Sequence, residues 1–537
     1  MQRQPYLISS PRPQRTRFAR WLVFLVVVAV GLLILGVIAS RRWPFTRGAV
    51  VQALQQQSGG RVQLSSFRQT YFPHPGCVAD GVTVRRDGNQ ASPPFITIQR
   101  LTIVGSYHGL LTHSIQQVRA EGMHVMVTMS PGGSGVFASA PPAISTPSGI
   151  SIGEIVADGA QVEITPGQPD QEPLIFPIQK LSLHSISGGR PLSFSAALKI
   201  PEPPGDLSIT GQFGPWKSGD GGHTPLSGSY TLQHADLGVF PGIAGTVSAA
   251  GKFDGVLQHV NVSGTTDTPD FMLTRNGHPV HLTTRFQALV DGLNGDVELQ
   301  PVVAHWGRTT IVAKSDVESQ SEAHGKTVVM TAYATHARTE DLLRLFTRDT
   351  PPPMTGDIVF RAKVTVPPEQ RPFLDRLRLQ GDFGIVGGQY TNFQTQKDVD
   401  FLSARARGEA DKVEDQQEKE EKNGNYNYDP GRVLSNVKGH VVLRDATANL
   451  TNVSFDVPGA SAVVSGTYNL KSEKVNLHGP VRLDAPLSQA TTGVKSFLLK
   501  IVQPLVHKKK QKGSTVEVKV AGTYHDPSFT VLPIPQK

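Results

Sequence analysis

Short runs in which apolar and polar residues alternate recur roughly every 8–15 residues from about residue 60 onward. That pattern restricts the fold more than any other feature, because a two-residue period is the signature of a half-buried strand. Leu192, Phe194, Ala196, Leu198 and Ile200 alternate with Ser193, Ser195 and Lys199. Val280, Leu282, Phe286, Ala288 and Val290 share a parity with Thr284. Val475, Leu477, Val481 and Leu483 oppose Asn476, His478, Arg482 and Asp484, and Val516, Val518 and Val520 oppose Glu517 and Lys519. Gly, Pro, Asn or Asp bounds each run. The pattern predicts sheet with one apolar and one polar face.

Composition agrees. The 537 residues include 53 Gly and 40 Pro, and only 18% are charged, below the usual quarter. Many turns and few charged helices are expected. A net charge of +8 is concentrated toward the chain ends, so no nucleic-acid surface is indicated. The single cysteine, Cys77, excludes an internal disulfide and is expected to pack as a small apolar residue.

Residues 21–39, WLVFLVVVAVGLLILGVIA, carry no charge, and no second stretch resembles them. At a 1.5 Å rise such a run spans a bilayer core of about 30 Å as a helix. A cleaved signal peptide would have a shorter apolar region and a better site than Ile38-Ala39-Ser40. Arg3, Arg12, Arg15, Arg17 and Arg20 precede the run without an acid, against Arg41, Arg42 and Arg47 after it. The richer tail is expected in the cytoplasm and the large domain outside it.

Two stretches read as helical. Thr46 can cap a helix reaching Gln57, with Gly59-Gly60 as its stop. Residues 489–506 place Val494, Phe497, Leu498, Ile501, Val502 and Leu505 on one face, with Pro504 kinking or ending the helix. Residues 131–149 are rich in Gly, Ser, Ala and Pro and read as a linker. The run EADKVEDQQEKEEK from Glu409 reads as a solvated insertion.

Catalytic motifs are weak. Gly149-Ile150-Ser151-Ile152-Gly153 fits a nucleophile elbow, but it precedes a strand where the elbow needs a helix. His278 and His281 would fall on opposite faces of a strand. No phosphate-binding loop is present. Lys508, Lys509, Lys510 and Lys512 form the one dense basic cluster. Following the amphipathic stretch, they are candidates for a membrane surface, or else a solubilising loop.

Specific residues resemble the AsmA family of bacterial envelope proteins. After the apolar run come Ser58-Gly59-Gly60-Arg61-Val62, Phe72-Pro73-His74-Pro75-Gly76, Asp80-Gly81-Val82-Thr83-Val84, then Ile98–Gly105, Leu110-Leu111, Ile115 and Val118–Val127. The C-terminal part carries Gly439-His440-Val441-Val442-Leu443-Arg444-Asp445, Asn452–Ala460, Ser465-Gly466-Thr467-Tyr468 and Gly522-Thr523-Tyr524-His525-Asp526-Pro527. The resemblance implies a mainly β, non-enzymatic protein: one transmembrane helix, then an elongated, curled, antiparallel-rich β-groove with a few short helices. It implies anchorage in the inner membrane, a periplasmic domain and conduction of phospholipid for outer-membrane maintenance, with no cofactor or metal. The domain order expected is 1–20 basic tail, 21–40 anchor, 41–130 AsmA-like N-terminal region, 131–149 linker, 150–408 groove, 409–430 charged insertion and 431–537 AsmA-like C-terminal region. The groove-lining candidates are Leu192, Phe194, Leu198, Phe286, Val475, Leu477, Val481 and Leu483. The rival reading is an envelope scaffold that pairs edge strands with outer-membrane proteins.

Overall fold

The computed structural model describes residues 45–85, 93–128, 151–165, 174–186, 190–201, 203–215, 217, 221–275, 277–292, 297–315, 321–322, 325–367, 371–409, 433–484, 514–523 and 527–532. The apolar run, the linker, the body of the charged insertion, the stretch 489–506 and the lysine cluster lie outside them. Among the described residues no helix is long and apolar enough to cross a membrane.

The chain is mainly β. Its strands are β1 Arg61–Thr70, β2 Gly76–Arg85, β3 Ile96–Gly105, β4 Ser114–Thr128, β5 Ser151–Thr165, β6 Leu174–Ile186, β7 Leu192–Ile200, β8 Gly205–Phe213 and β9 Pro225–Asp236. They continue with β10 Ile243–Ala244, β11 Thr246–Val256, β12 His259–Leu273, β13 Val280–Val290, β14 Val297–Leu299, β15 Val302–Trp306, β16 Thr309–Ser315, β17 Ser321–Glu322, β18 Gly325–Lys326, β19 Val328–Arg338, β20 Met354–Val366 and β21 Arg378–Tyr390. The last are β22 Ser435–Arg444, β23 Thr447–Val457, β24 Ala460–Asn469, β25 Lys474–Leu483, β26 Ser514–Thr523 and β27 Pro527–Leu532. Twenty-five of them form one open sheet, or 24 without the two-residue β10, which bonds β12.

Neighbours in sequence are neighbours in the sheet, and almost every step is antiparallel. The exception is β4–β5, which pair in parallel from Ser114↔Ser151 to Thr128↔Thr165. The chain must therefore return along the whole of β4, a 15-residue strand of about 50 Å. Residues 129–150 can reach about 75 Å fully extended, enough to span that return. At the charged insertion the sheet also continues, because β21 pairs directly with β22 from Leu379↔Leu443 to Gly388↔Ser435. The regions delimited by these stretches are segments of one sheet.

Among the described residues five α-helices decorate it: α1 Arg47–Ser58, α2 Tyr107–Thr112, α3 Thr339–Phe346, α4 Phe373–Arg376 and α5 Phe393–Ala406. The first matches the expected helix. Thr46 Oγ1 accepts from Ala49 N–H, and Gly59 ends it at φ 63. The other four overturn the expectation of only two helical stretches. Of these, α5 has little apolar periodicity and is held by polar contacts. Gln396 Nε2 donates to Asp400 Oδ1 and to Val433 O, Val433 N–H donates to Asp400 Oδ1, and Ser403 Oγ donates to Pro458 O. Asp341 in α3 has a similar role. Its carboxylate accepts from Arg308 N–H at 2.7 Å and from Thr309 Oγ1 at 3.0 Å, locking the β15–β16 turn.

Core packing gathers at the two ends and at one place between them, where Leu273 of β12 packs with Leu374 of α4, Leu377 and Leu443. Val62, Leu64, Ala79, Val82, Val84, Ile98, Leu101 and Ala120 form the N-terminal core, with Leu54 of α1 packed against it. Phe45, Val50 and Cys77 continue it. Toward the C-terminus, Val399 and Ala406 of α5 pack on Val457, Ala460 and Leu483.

Candidate functional site

Cross-strand register lets one face of the sheet be followed from strand to strand. One row runs from Phe67 in β1 through Ala79, Leu101 and Ala120 to Ala157 in β5. It continues through Leu181, Ala196, Ile209, Tyr230, Gly251 and Gly264 to Phe286 in β13. No position in that row is charged, and Tyr230 carries the only polar side-chain atom. The same face continues from Thr284 to Ala304, and from Val302 through Ala313, Ala332, Ala362 and Gly381 to Val441. Leu450, Gly466, Leu477 and Val520 carry it to β26. Adjacent strands hold their pleats in phase, so residues paired across them point the same way.

All eight groove candidates lie on this face. Leu192, Phe194 and Leu198 pair with Phe213, Gly211 and Leu207, and Phe286 pairs with Gly264. In β25, Val475, Leu477, Val481 and Leu483 pair with Tyr468, Gly466, Ala462 and Ala460. Their surroundings differ. Leu483 is buried beneath α5 with Val481 beside it, whereas Leu192, Phe194, Leu198 and Phe286 are only half-buried. The opposite face of the middle strands is polar and exposed, with Asp206, Ser208, Thr210 and Gln212 in β8 and Ser227, Ser229, Thr231 and Gln233 in β9.

Between β7 and β13 the apolar face has a construction that alternation alone did not reveal. Four of its aromatics stand directly opposite a glycine, while Phe213 and Phe271 pair with Leu192 and Val280. Phe194 faces Gly211, Phe253 faces Gly228, Tyr230 faces Gly251 and Phe286 faces Gly264. The rings lie across these glycines: a Cβ on Gly228 would sit 2.5 Å from Phe253 Cζ, and one on Gly251 2.5 Å from Tyr230 Oη. A larger residue would meet both the ring and a carbonyl oxygen of the neighbouring strand, at 2.2 Å from Thr210 O for Gly228 and 2.1 Å from Ser263 O for Gly251, so the close approach of strand and ring together calls for glycine. The arrangement covers bare backbone with aromatic faces and keeps the floor low and smooth. The Tyr230 hydroxyl is buried without a hydrogen-bond partner, and burial pushes its pKa up. The sequence signal that could have found this device is an aromatic and a glycine recurring on one parity of consecutive strands.

What covers this face differs along the sheet. The helices pack elsewhere: α1 on β1, α2 on β4, α3 on β12, β19 and β20, and α5 on β21 and β24. The described residues place none of them over the stretch from β7 to β9, where Leu207, Ile209, Leu226 and Leu232 stay half-buried.

The catalytic motifs dissolve. Ser151 opens β5 and its N–H donates to His113 O, so it occupies no strand-to-helix turn. His281 pairs with Asp267 across β12 and β13. His278 precedes the strand, and its N–H donates to Arg344 O. Among the described residues no group of three potential metal ligands comes together. Cys77 is buried as expected, its thiol pushed up to about 12 by burial. No family model matches the chain, and no curated protein does.

Proposed function

We propose that this chain is a membrane-anchored, periplasmic lipid-handling protein of AsmA type, in which the apolar sheet face carries phospholipid acyl chains toward the outer membrane. The observation that carries the reading is the continuous apolar face, half-exposed between β7 and β13. An apolar surface of that extent is unfavourable in water unless something apolar occupies it. Acyl chains gain ~0.8 kcal/mol per methylene buried there, while head groups stay in solvent. A floor of flat rings over glycines offers few steric barriers to a sliding chain. With strands ~4.8 Å apart the sheet contour is on the order of 100 Å.

A curled form of the sheet accords with one long-range contact. Six strand steps separate β11 from β20, roughly 30 Å in a flat sheet, yet Phe373 N–H donates to Pro241 O at 2.8 Å through connections at their ends. The uncharged run 21–39 supplies the anchor and its basic leading tail the orientation. The protein does no chemistry in this reading, and binding is its whole function.

The test uses the full chain in its membrane, with a photocrosslinking amino acid replacing Phe194, Phe253 or Phe286, and Ser229 as the polar-face control. Phospholipid adducts at the three aromatics and none at Ser229 are expected. In the same strain, Phe194→Glu and Phe286→Glu each remove contact with about two methylenes, ~1.6 kcal/mol, and lower lipid capture at Phe253 by roughly tenfold. Protein adducts in place of lipid would favour the scaffold reading, and a face that captures no lipid ends the proposal.

A further inference from the structure

We infer that the corner of the sheet formed by the β1–β2 turn and helix α2 is a foot that dips into the phospholipid interface beside the anchor. The inference rests on the anchored reading above and adds to it a specific lipid-contacting surface.

Four large apolar side chains stand out at this corner: Tyr71, Phe72, Tyr107 and Leu111, exposed by 52%, 86%, 53% and 81%. Single exposed apolar residues are ordinary, but these sit on two connections that touch. Tyr107 Oη donates to Tyr71 O at 2.6 Å. Neither 71–76 nor 106–113 contains an acid, and both carry exposed histidines, His74, His108 and His113. Aromatic side chains with a polar handle concentrate at membrane–water interfaces, and the absence of acids suits an anionic lipid surface.

The foot has a rigid support. Beneath it Phe45 is 4% exposed and clusters with Val50 and Cys77. Gly105, two residues before Tyr107, lies so close to Phe45 that a Cβ there would sit 2.9 Å from the ring. Its N–H donates to Pro75 O at 2.7 Å, which ties the two connections together. Phe45 also marks where the chain arrives from the apolar run. Five residues lie between it and Ala39, a reach of no more than ~20 Å over six steps. The anchor therefore delivers this corner to the bilayer surface, and a loose tether that would let it drift away is too short to exist.

The full chain, reconstituted in nanodiscs of phosphatidylethanolamine and phosphatidylglycerol, tests this. A thiol-reactive fluorophore is placed at Phe72→Cys, Leu111→Cys, Ser229→Cys or Val28→Cys; Cys77 is buried and does not compete for label. Labels at 72 and 111 are expected to be quenched by lipid carrying a nitroxide near its head group and protected from aqueous iodide, with Ser229→Cys showing the reverse. Val28→Cys, in the middle of the apolar run, reports the anchor through a nitroxide deep in the acyl region. Deep quenching at 28 with iodide-accessible labels at 72 and 111 overturns the foot and leaves the anchored reading standing. Loss of quenching at 28 overturns both. Labels at 72 and 111 shielded from iodide yet untouched by lipid nitroxide mean that a protein covers the corner, which also overturns the foot.

Discussion

The first four strands and the stretch from β7 to β13 follow the same binary pattern and meet different fates. In the first, Ala79, Val82, Cys77 and Leu101 are 1%, 1%, 1% and 4% exposed, sealed by α1 and Phe45. In the second, Leu207, Ile209, Phe253 and Phe286 show as much apolar character and remain half-buried. An alternating strand declares that one face avoids water; it does not say what will cover that face. At the N-terminal end the cover is a helix of the same chain. Over β7 to β9 the described residues place no helix, whereas β12 is partly covered by α3, and that difference makes β7 to β9 the place to seek a ligand.

Truncating matched leucines probes the contrast most strongly. Leu101→Ala leaves a cavity in the sealed core and is expected to cost about 2–5 kcal/mol in denaturant unfolding. Leu207→Ala removes a side chain already partly in water and should cost roughly 1 kcal/mol or less. Equal losses would mean that the middle face is covered as fully as the N-terminal core. A smaller effect follows from the cap of the covering helix. Thr46→Ala removes the acceptor of Ala49 N–H and should lower the stability of the N-terminal strands by about 1 kcal/mol, read by hydrogen exchange of β1–β3 and absent from β7–β13. A further effect, seen only at alkaline pH, is a pH slope. Burial raises the Cys77 thiol from 9.0 to about 12, so the unfolded chain releases this proton first. Stability from this group is complete below pH 9 and declines as pH rises toward 12. The difference between wild type and Cys77→Ala in denaturant midpoint should shift across that window, and a constant difference would place Cys77 in contact with solvent.

Much of the sheet was legible because its facing depends on parity. The eight residues chosen from alternation fall on one face across β7, β13 and β25, and Thr46 and Gly59 bounded α1 as side-chain capping and a left-handed glycine require. The N-terminal strands resisted the same reading. In β2 the core takes Ala79 and then Val82 and Val84, and in β4 it takes Ala120 and then Met123 as a packed neighbour, a change of parity within one strand. Gly81 at φ 63 and Gly122 at φ 60 mark the switch, where the left-handed conformation that glycine adopts without strain lets the strand change facing while the register with its neighbours is kept. The missed helix α5 has the opposite cause: its sequence is mostly polar, and Gln396, Asp400 and Ser403 reach partners at Val433 and Pro458, far along the chain.

Local chemistry therefore settled that this chain forms amphipathic strands, that a helix starts at Thr46, and that an uncharged run suited to lipid precedes them. Tertiary structure alone decided which strands are covered, that β4 and β5 run parallel, and that four aromatics of the middle face each meet a glycine. Strand periodicity is carried by each residue's own polarity, whereas coverage and register are properties of pairs of segments that must be brought together before either has meaning.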